Sequence, residues 1–211
     1  MPAQSCEYIE SAGLGVCQPK SGYRYGEASI ALANFVCARP GLCVVELGGG
    51  CGIVSMIVAR RCRPVSVVSV EIQRCLHDLA VRNSKANGLG AVLRCVNADY
   101  RMFARKRSGL FDLVVANPPF YPAKSGRLPL NPQRAAAHHE LNGTLKDLVD
   151  SASLLLMPGG RFAAVILNSR RIELTATAEA AGLSLCRFVR GGEDESGDAL
   201  FLAEFAKRGE G

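Results

Sequence analysis

The sequence predicts an α/β fold: a doubly wound, mostly parallel sheet with one antiparallel strand at its end. Three observations carry that prediction. Short apolar, β-branched runs alternate with helically spaced segments through the middle of the chain. Glycine or proline closes several of these elements. The last two strand signals follow one another with only a loop between them. A chain of 211 residues with 48% hydrophobic content suits one domain with a sizeable core.

In chain order, residues 28–37 read as a helix after the polar-aromatic lead-in QPKSGYRYGEAS. Residues 42–47 form the first strand, closed by glycines, and 53–61 the helix after it. Residues 65–70 are a second strand, and 73–87 a helix with Cys75, Leu76, Leu79 and Ala80 on one face and Gly88 at its C-terminal stop. Strands follow at 91–96 and 111–116. The segment 144–157 is an amphipathic helix with Thr144 as N-cap, stopped by Pro158-Gly159-Gly160. A strand at 161–167, a helix at 172–181 ended by Gly182, and strands at 183–189 and 199–205 complete the pattern. Residues 120–143 form a long irregular connection, a length that usually has a functional reason.

Composition narrows the function. No apolar run is long enough to span a membrane and the N-terminus lacks a charged-then-apolar leader, so a cytoplasmic protein is expected. The nine cysteines are odd in number with no C-x-x-C pair, so they are expected to be reduced and mostly buried. The three histidines show no metal-site spacing, and no metal is expected. Net charge is +6, and residues 101–134 hold seven basic side chains against one acid, the whole excess in one stretch. Such clustering suits a polyanionic partner, the alternative being a solvated loop.

Ligands of a doubly wound sheet bind beyond the carboxyl ends of its strands. The first strand ends E-L-G-G-G-C-G, placing Glu46, Gly48, Gly50 and Gly52 in an acid-x-G-x-G-x-G pattern whose glycines allow a sharp turn and close ligand approach. The second ends at Glu71, a carboxylate able to accept from both hydroxyls of a ribose. After the third comes Asp99, able to accept from an adenine amino group. The dinucleotide fingerprint G-x-G-x-x-G fails at Ile53, and no G-K-[ST] follows, so a nucleoside without a pyrophosphate fits best.

ELGGGCG, Glu71, Asp99 and N-P-P-F in this order resemble the motifs of class I S-adenosylmethionine-dependent methyltransferases over roughly residues 20–205. That resemblance implies the Rossmann-like seven-stranded sheet of the class I methyltransferase fold, with residues 41–211 as the methyltransferase domain and 1–40 packing near the donor site. It implies S-adenosylmethionine as cofactor. Tyr23 and Arg24 are expected to cover the donor pocket, the alternative being packing of the N-terminal helix onto the sheet.

Asn117-Pro118-Pro119-Phe120 resembles the [NDS]-P-P-[YFW] motif of amino-methyltransferases. An exocyclic amine is a poor nucleophile because its lone pair is delocalised. The Asn117 oxygen and the Pro118 carbonyl can each accept one amino hydrogen, pulling the nitrogen toward tetrahedral geometry. The prolines stiffen the backbone that aims them, and Phe120 offers a stacking face. No strong base is required, only alignment.

Several families use such a motif: adenine-N6 enzymes, ribosomal RNA guanine-N2 enzymes and protein glutamine enzymes. QP-x-x-GYR near the start and R-x-x-A-x-H-E after NPPF are similar to bacterial tRNA adenine-N6 methyltransferases acting beside the anticodon of a valine tRNA, although Ala28 replaces the family's acid. The resemblance implies methyl transfer to adenine N6 in a tRNA anticodon loop. Lys124, Arg127 and Arg134 are then candidate phosphate contacts. A non-catalytic RNA-binding protein and a small-molecule methyltransferase are the readings from other classes.

Overall fold

The computed structural model describes residues 3–36, 39–122, 135, 140–194 and 197–209. Its first element is a hairpin that the sequence reading did not anticipate. β1 (Gln4–Ile9) pairs antiparallel with β2 (Leu14–Pro19) through a 3₁₀ turn at Glu10–Ala12 and Gly13 at φ 63°. The register sets Cys6 opposite Cys17, and the two form a disulfide with their Cα atoms 4.0 Å apart. The expectation of uniformly reduced, mostly buried cysteines is therefore wrong for this pair. Cross-strand facing, not sequence spacing, brings the two thiols together. Cys75 and Cys186 are also exposed, while Cys51 and Cys62 are buried as expected.

The remaining elements are α1 (Glu27–Phe35), β3 (Cys43–Leu47), α2 (Ile53–Cys62), β4 (Ser66–Glu71), α3 (Arg74–Ala86), β5 (Leu93–Asn97), α4 (Tyr100–Arg105), β6 (Phe111–Ala116), α5 (Leu145–Leu155), β7 (Leu156–Leu167), α6 (Arg171–Ala180), β8 (Leu183–Glu193) and β9 (Ala199–Lys207). Seven strands form one sheet in the order β5-β4-β3-β6-β7-β9-β8. Only β9 runs against its neighbours, β7 and β8, as the bare loop between the last two strand signals predicts. Expected and observed boundaries agree within a few residues.

Side-chain alternation along the strands divides the core in two. Val44, Val67, Leu113, Val115 and Val165 face α1, α2 and α3, which bring Leu32, Met56, Ile57, Leu76 and Leu79. Val45, Val70, Val114, Ala116 and Phe162 face α4, α5 and α6, which bring Phe103, Leu148, Leu155 and Leu174. Both faces of the sheet are thus covered, which is why its central strands read as continuous apolar runs.

Thr144 caps α5 as expected, in a capping box. Its Oγ1 accepts from Asp147 N at 3.1 Å, and the Asp147 carboxylate accepts from Thr144 N at 2.9 Å. The helix ends two residues earlier than expected because β7 already pairs with β6 at Leu156. The Pro158-Gly159-Gly160 run is absorbed as a register shift between Phe111/Leu156 and Leu113/Arg161. One strand in from the sheet edge, the buried Glu204 of β9 lies between Arg161 at 2.7 Å and Arg187 at 2.6 Å.

Candidate active site

The direction of chain progression reverses between β3 and β6, and a crevice opens there at the carboxyl ends of the strands. A cleft of about 620 Å³, open mouth included, occupies this position. Gly48 and Gly50 line it after β3, Glu71 and Ile72 at the end of β4, Tyr100 at the start of α4, and Asn117 and Pro119 after β6; Tyr23, Asn142 and Gly143 line it as well.

The glycine turn is fixed by main-chain bonds. Gly48 N and Gly49 N both donate to Val70 O, at 2.9 and 3.0 Å. Gly49, which the acid-x-G-x-G-x-G pattern leaves as an ordinary position, has the strictest need: a Cβ there would lie 1.9 Å from Ser69 Oγ. At Gly50 a Cβ would meet the Tyr23 ring at 2.8 Å, and the φ of +55° favours glycine besides. The Tyr23 ring therefore lies directly on the turn.

The acids have different surroundings. Glu71 accepts from Gly50 N at 2.9 Å and Gln73 N at 2.7 Å, so its two oxygens bridge the turn and the start of α3 while facing the cleft. Burial raises its pKa, and the backbone bonds work against that rise. Glu46 lies behind the turn, where its carboxyl accepts from Ser55 N at 3.0 Å and from the Ser55 hydroxyl. Burial pushes it up to about 8. Asp99 caps α4 by accepting from Arg101 N at 2.8 Å and pairs with the Arg101 guanidinium at 2.5 Å, a pairing that holds its carboxyl low.

At the end of β6 the Asn117 amide nitrogen donates to Ser29 Oγ at 2.9 Å. Ser29 belongs to the first turn of α1, is fully buried, and is also hydrogen-bonded to the Tyr23 phenol. The Asn117 oxygen has no hydrogen-bond partner among the described residues, yet is not among the buried unpaired atoms, so it opens to solvent. Pro118 is buried and Phe120 packs partly against the core. Arg170 supports this corner. It donates to Phe120 O at 3.4 Å and pairs with Glu140 at 2.6 Å, whose backbone N–H in turn donates to Tyr121 O at 3.0 Å.

The cleft thus brings together Gly48, Gly50, Glu71, Tyr23, Asn117 and Pro119 of the sequence-derived set. Glu46, Gly52 and Asp99 stand behind or beside it, engaged with Ser55, Ala80 and Arg101 respectively. Arg24 turns away to the hairpin, donating to Ser5 Oγ at 2.7 Å and Pro19 O at 3.1 Å. Lys124, Arg127 and Arg134 lie outside the described residues. Sequence reasoning missed Ser29, Tyr100 and Asn83. Asn83 joins the hairpin to the glycine turn: its amide nitrogen donates to both Cys17 O and Cys51 O at 2.9 Å, and its oxygen accepts from Cys17 N. The polar residue inside the apolar face of α3 was the available signal.

Residues 21–179 match the family model described as methyltransferase small domain. Among curated proteins, the chain is 29% identical over 152 residues to a tRNA1(Val) (adenine(37)-N6)-methyltransferase of Bacteroides fragilis, an alignment covering 72% of this chain and 63% of that one. It is also 29% identical over 175 residues to the protein of that name in Tolumonas auensis, covering 82% and 71%. The chain therefore spans a little under two thirds of the length of the first of these relatives. Among solved structures, the M. jannaschii tRNA m1G37 methyltransferase superposes with a TM-score of 0.72 at 11% identity, covering 99% of this chain and 58% of that one. M. jannaschii TYW2 in complex with AdoMet does so at 0.68 and 15% identity, covering 98% and 88%. These likenesses show a shared fold.

Proposed function

The chain belongs to the methyltransferase small domain family, and from that premise we propose that it transfers a methyl group from S-adenosylmethionine to an exocyclic amine, adenine N6 of a tRNA anticodon loop. The observation that carries the reading is one cleft lined both by Glu71, a buried carboxylate with no ion pair among the described residues, and by Asn117, whose amide oxygen is open.

The residues fit the donor. Glu71 already spends one acceptor direction of each oxygen on the turn and on α3, which aims the remaining ones at a ribose. Gly48, the exposed residue of the glycine turn, allows close approach to the backbone, and Ile72 and Tyr100 offer apolar walls. S-adenosylmethionine would supply a sulfonium methyl and leave as a neutral thioether, so a weakly nucleophilic amine suffices if it is aligned, the methylated nitrogen then losing its extra proton to water.

Alignment falls to the other side of the cleft. The Asn117 oxygen and the Pro118 carbonyl accept the two amino hydrogens and turn the nitrogen lone pair toward the donor. Phe120, half-exposed beside them, offers a face to a planar base. An unpaired anticodon-loop base reaches such a corner at low unstacking cost.

The relatives' printed name supports tRNA and adenine N6 as the target. So does the basic stretch around NPPF, where we assign Lys124, Arg127 and Arg134 to phosphate contacts. Within that stretch Arg101 is committed to Asp99 and Asp147, and Arg107 lies over the Phe103 ring, whereas Arg105 and Lys106 are exposed.

Transfer of tritiated methyl groups to total RNA, fractionated tRNA, ribosomal RNA and protein, followed by nucleoside analysis, tests the proposal. Label recovered as N6-methyladenosine in tRNA is expected. N2-methylguanosine in ribosomal RNA, or label in protein, would redirect it to the sister families. No transfer to any fraction would leave a non-catalytic RNA-binding protein.

A further inference from the structure

We infer that Ser29 is a positioning residue for the reaction: its hydroxyl, shared between Tyr23 and Asn117, decides which end of the Asn117 amide faces the substrate. This inference rests on the reading of Asn117 given above.

The two ends of a primary amide have nearly the same shape, so packing alone does not choose between them. Only hydrogen bonding does, and the choice matters chemically. With the oxygen in the cleft, Asn117 accepts a hydrogen from the substrate amine. With the nitrogen there, it presents hydrogens to an NH2 group and repels it.

A hydroxyl by itself would not settle the matter, because it can donate as well as accept. In the fold Ser29 accepts: the Asn117 nitrogen donates to its Oγ at 2.9 Å. The Tyr23 phenol is the second partner of the same buried hydroxyl. The amide oxygen is then left toward solvent with no protein partner among the described residues. Tyr23 is itself fixed by the glycine turn, its ring against Gly50. The relay therefore links the donor turn to the aim of the amine-binding oxygen through two side chains of the N-terminal segment.

The test compares wild type, Ser29→Ala, Asn117→Asp and the double variant, with tritiated S-adenosylmethionine and unmodified tRNA transcripts. Ser29 is fully buried and Ala is slightly smaller, so the fold is kept. Loss of one aligning hydrogen bond predicts a fall in kcat of about tenfold, with donor KM changed by less than about twofold. Aspartate presents oxygen whichever way it turns, so Ser29→Ala in the Asn117→Asp background is predicted to change kcat by less than about twofold. An independent readout is hydrogen exchange of the Asn117 side-chain NH2 by ¹⁵N NMR, the resonance being identified by its absence in Asn117→Asp. One proton is predicted to be protected in wild type and both to exchange freely in Ser29→Ala. Wild-type kcat in Ser29→Ala, an equal loss in the aspartate background, or unchanged protection would each overturn the inference. If Asn117→Asp turns over too slowly for comparison, the NH2 exchange decides. Loss of transfer in Asn117→Ala alongside full transfer in Ser29→Ala would remove the positioning role and leave the proposed reaction intact. Full transfer in Asn117→Ala would remove the reaction itself.

Discussion

The two halves of the cleft are held by different means. Around the glycine turn and Glu71 the geometry is set by main-chain groups: Gly48 and Gly49 on Val70, Gly50 and Gln73 on the Glu71 carboxylate. Around Asn117 it is set by side chains, Ser29 and Tyr23 below the amide and Arg170 and Glu140 behind the turn that follows. Backbone fixes a feature whatever the neighbouring side chains are, so the first half suits a constant ligand. Side chains can be exchanged one at a time, so the second suits a substrate that differs between related enzymes.

Two buried glutamates sharpen the contrast. Glu204 is neutralised by Arg161 and Arg187, whose hydrogen bonds outweigh burial and hold its pKa low. Glu71 has backbone N–H groups in place of arginines, and burial prevails. A buried acid facing a cleft, with no ion pair among the described residues, is what the proposed ribose contact requires. One enclosed by two arginines is architecture.

If the halves are separable, Asn117→Ala should cost transfer about 100-fold or more, as loss of an aligned transition-state contact does, while donor affinity measured by calorimetry stays within about threefold. A parallel loss of donor affinity would show that the halves are one unit. Glu71→Ala should do the reverse, weakening donor binding about 10- to 100-fold, the range expected for hydrogen bonds to a charged group. Wild-type affinity there would take the ribose off Glu71.

The smallest effect concerns Glu46, behind the turn. Its native carboxyl keeps its proton up to about 8, whereas the unfolded one loses it near the ordinary value of 4.5. Between those values the native state binds more protons, so this group's contribution to stability falls as pH rises. Glu46→Gln should therefore show a shallower decline of Tm from about pH 5 to 8 than wild type. An identical decline would mean that Glu46 ionises normally.

What the sequence disclosed follows the same division. The strand ends, the glycine turn, Glu71 and Asn117 were legible because each is a local event, a periodicity stopping at a glycine, an acid or a proline. The capping box at Thr144 was legible for the same reason. The hairpin was not: β1 has no clean alternation, and the Cys6–Cys17 pair exists only once the strands are in register. α4 escaped notice because six residues give too little periodicity. Ser29 had no local mark, being one small polar residue on a helix whose partner lies 88 positions away. Arg24 and Tyr23 adjoin in sequence, yet their side chains go to the hairpin and to the cleft respectively, which adjacency cannot reveal.

The division of the cleft is tested most directly by a crystal structure of the chain with S-adenosylhomocysteine. The account predicts the ribose hydroxyls on the Glu71 carboxylate, the homocysteine chain along Gly48–Gly50, and the sulfur facing the Asn117 amide oxygen. A ligand bound away from Glu71, or one whose sulfur is screened from Asn117, would contradict it.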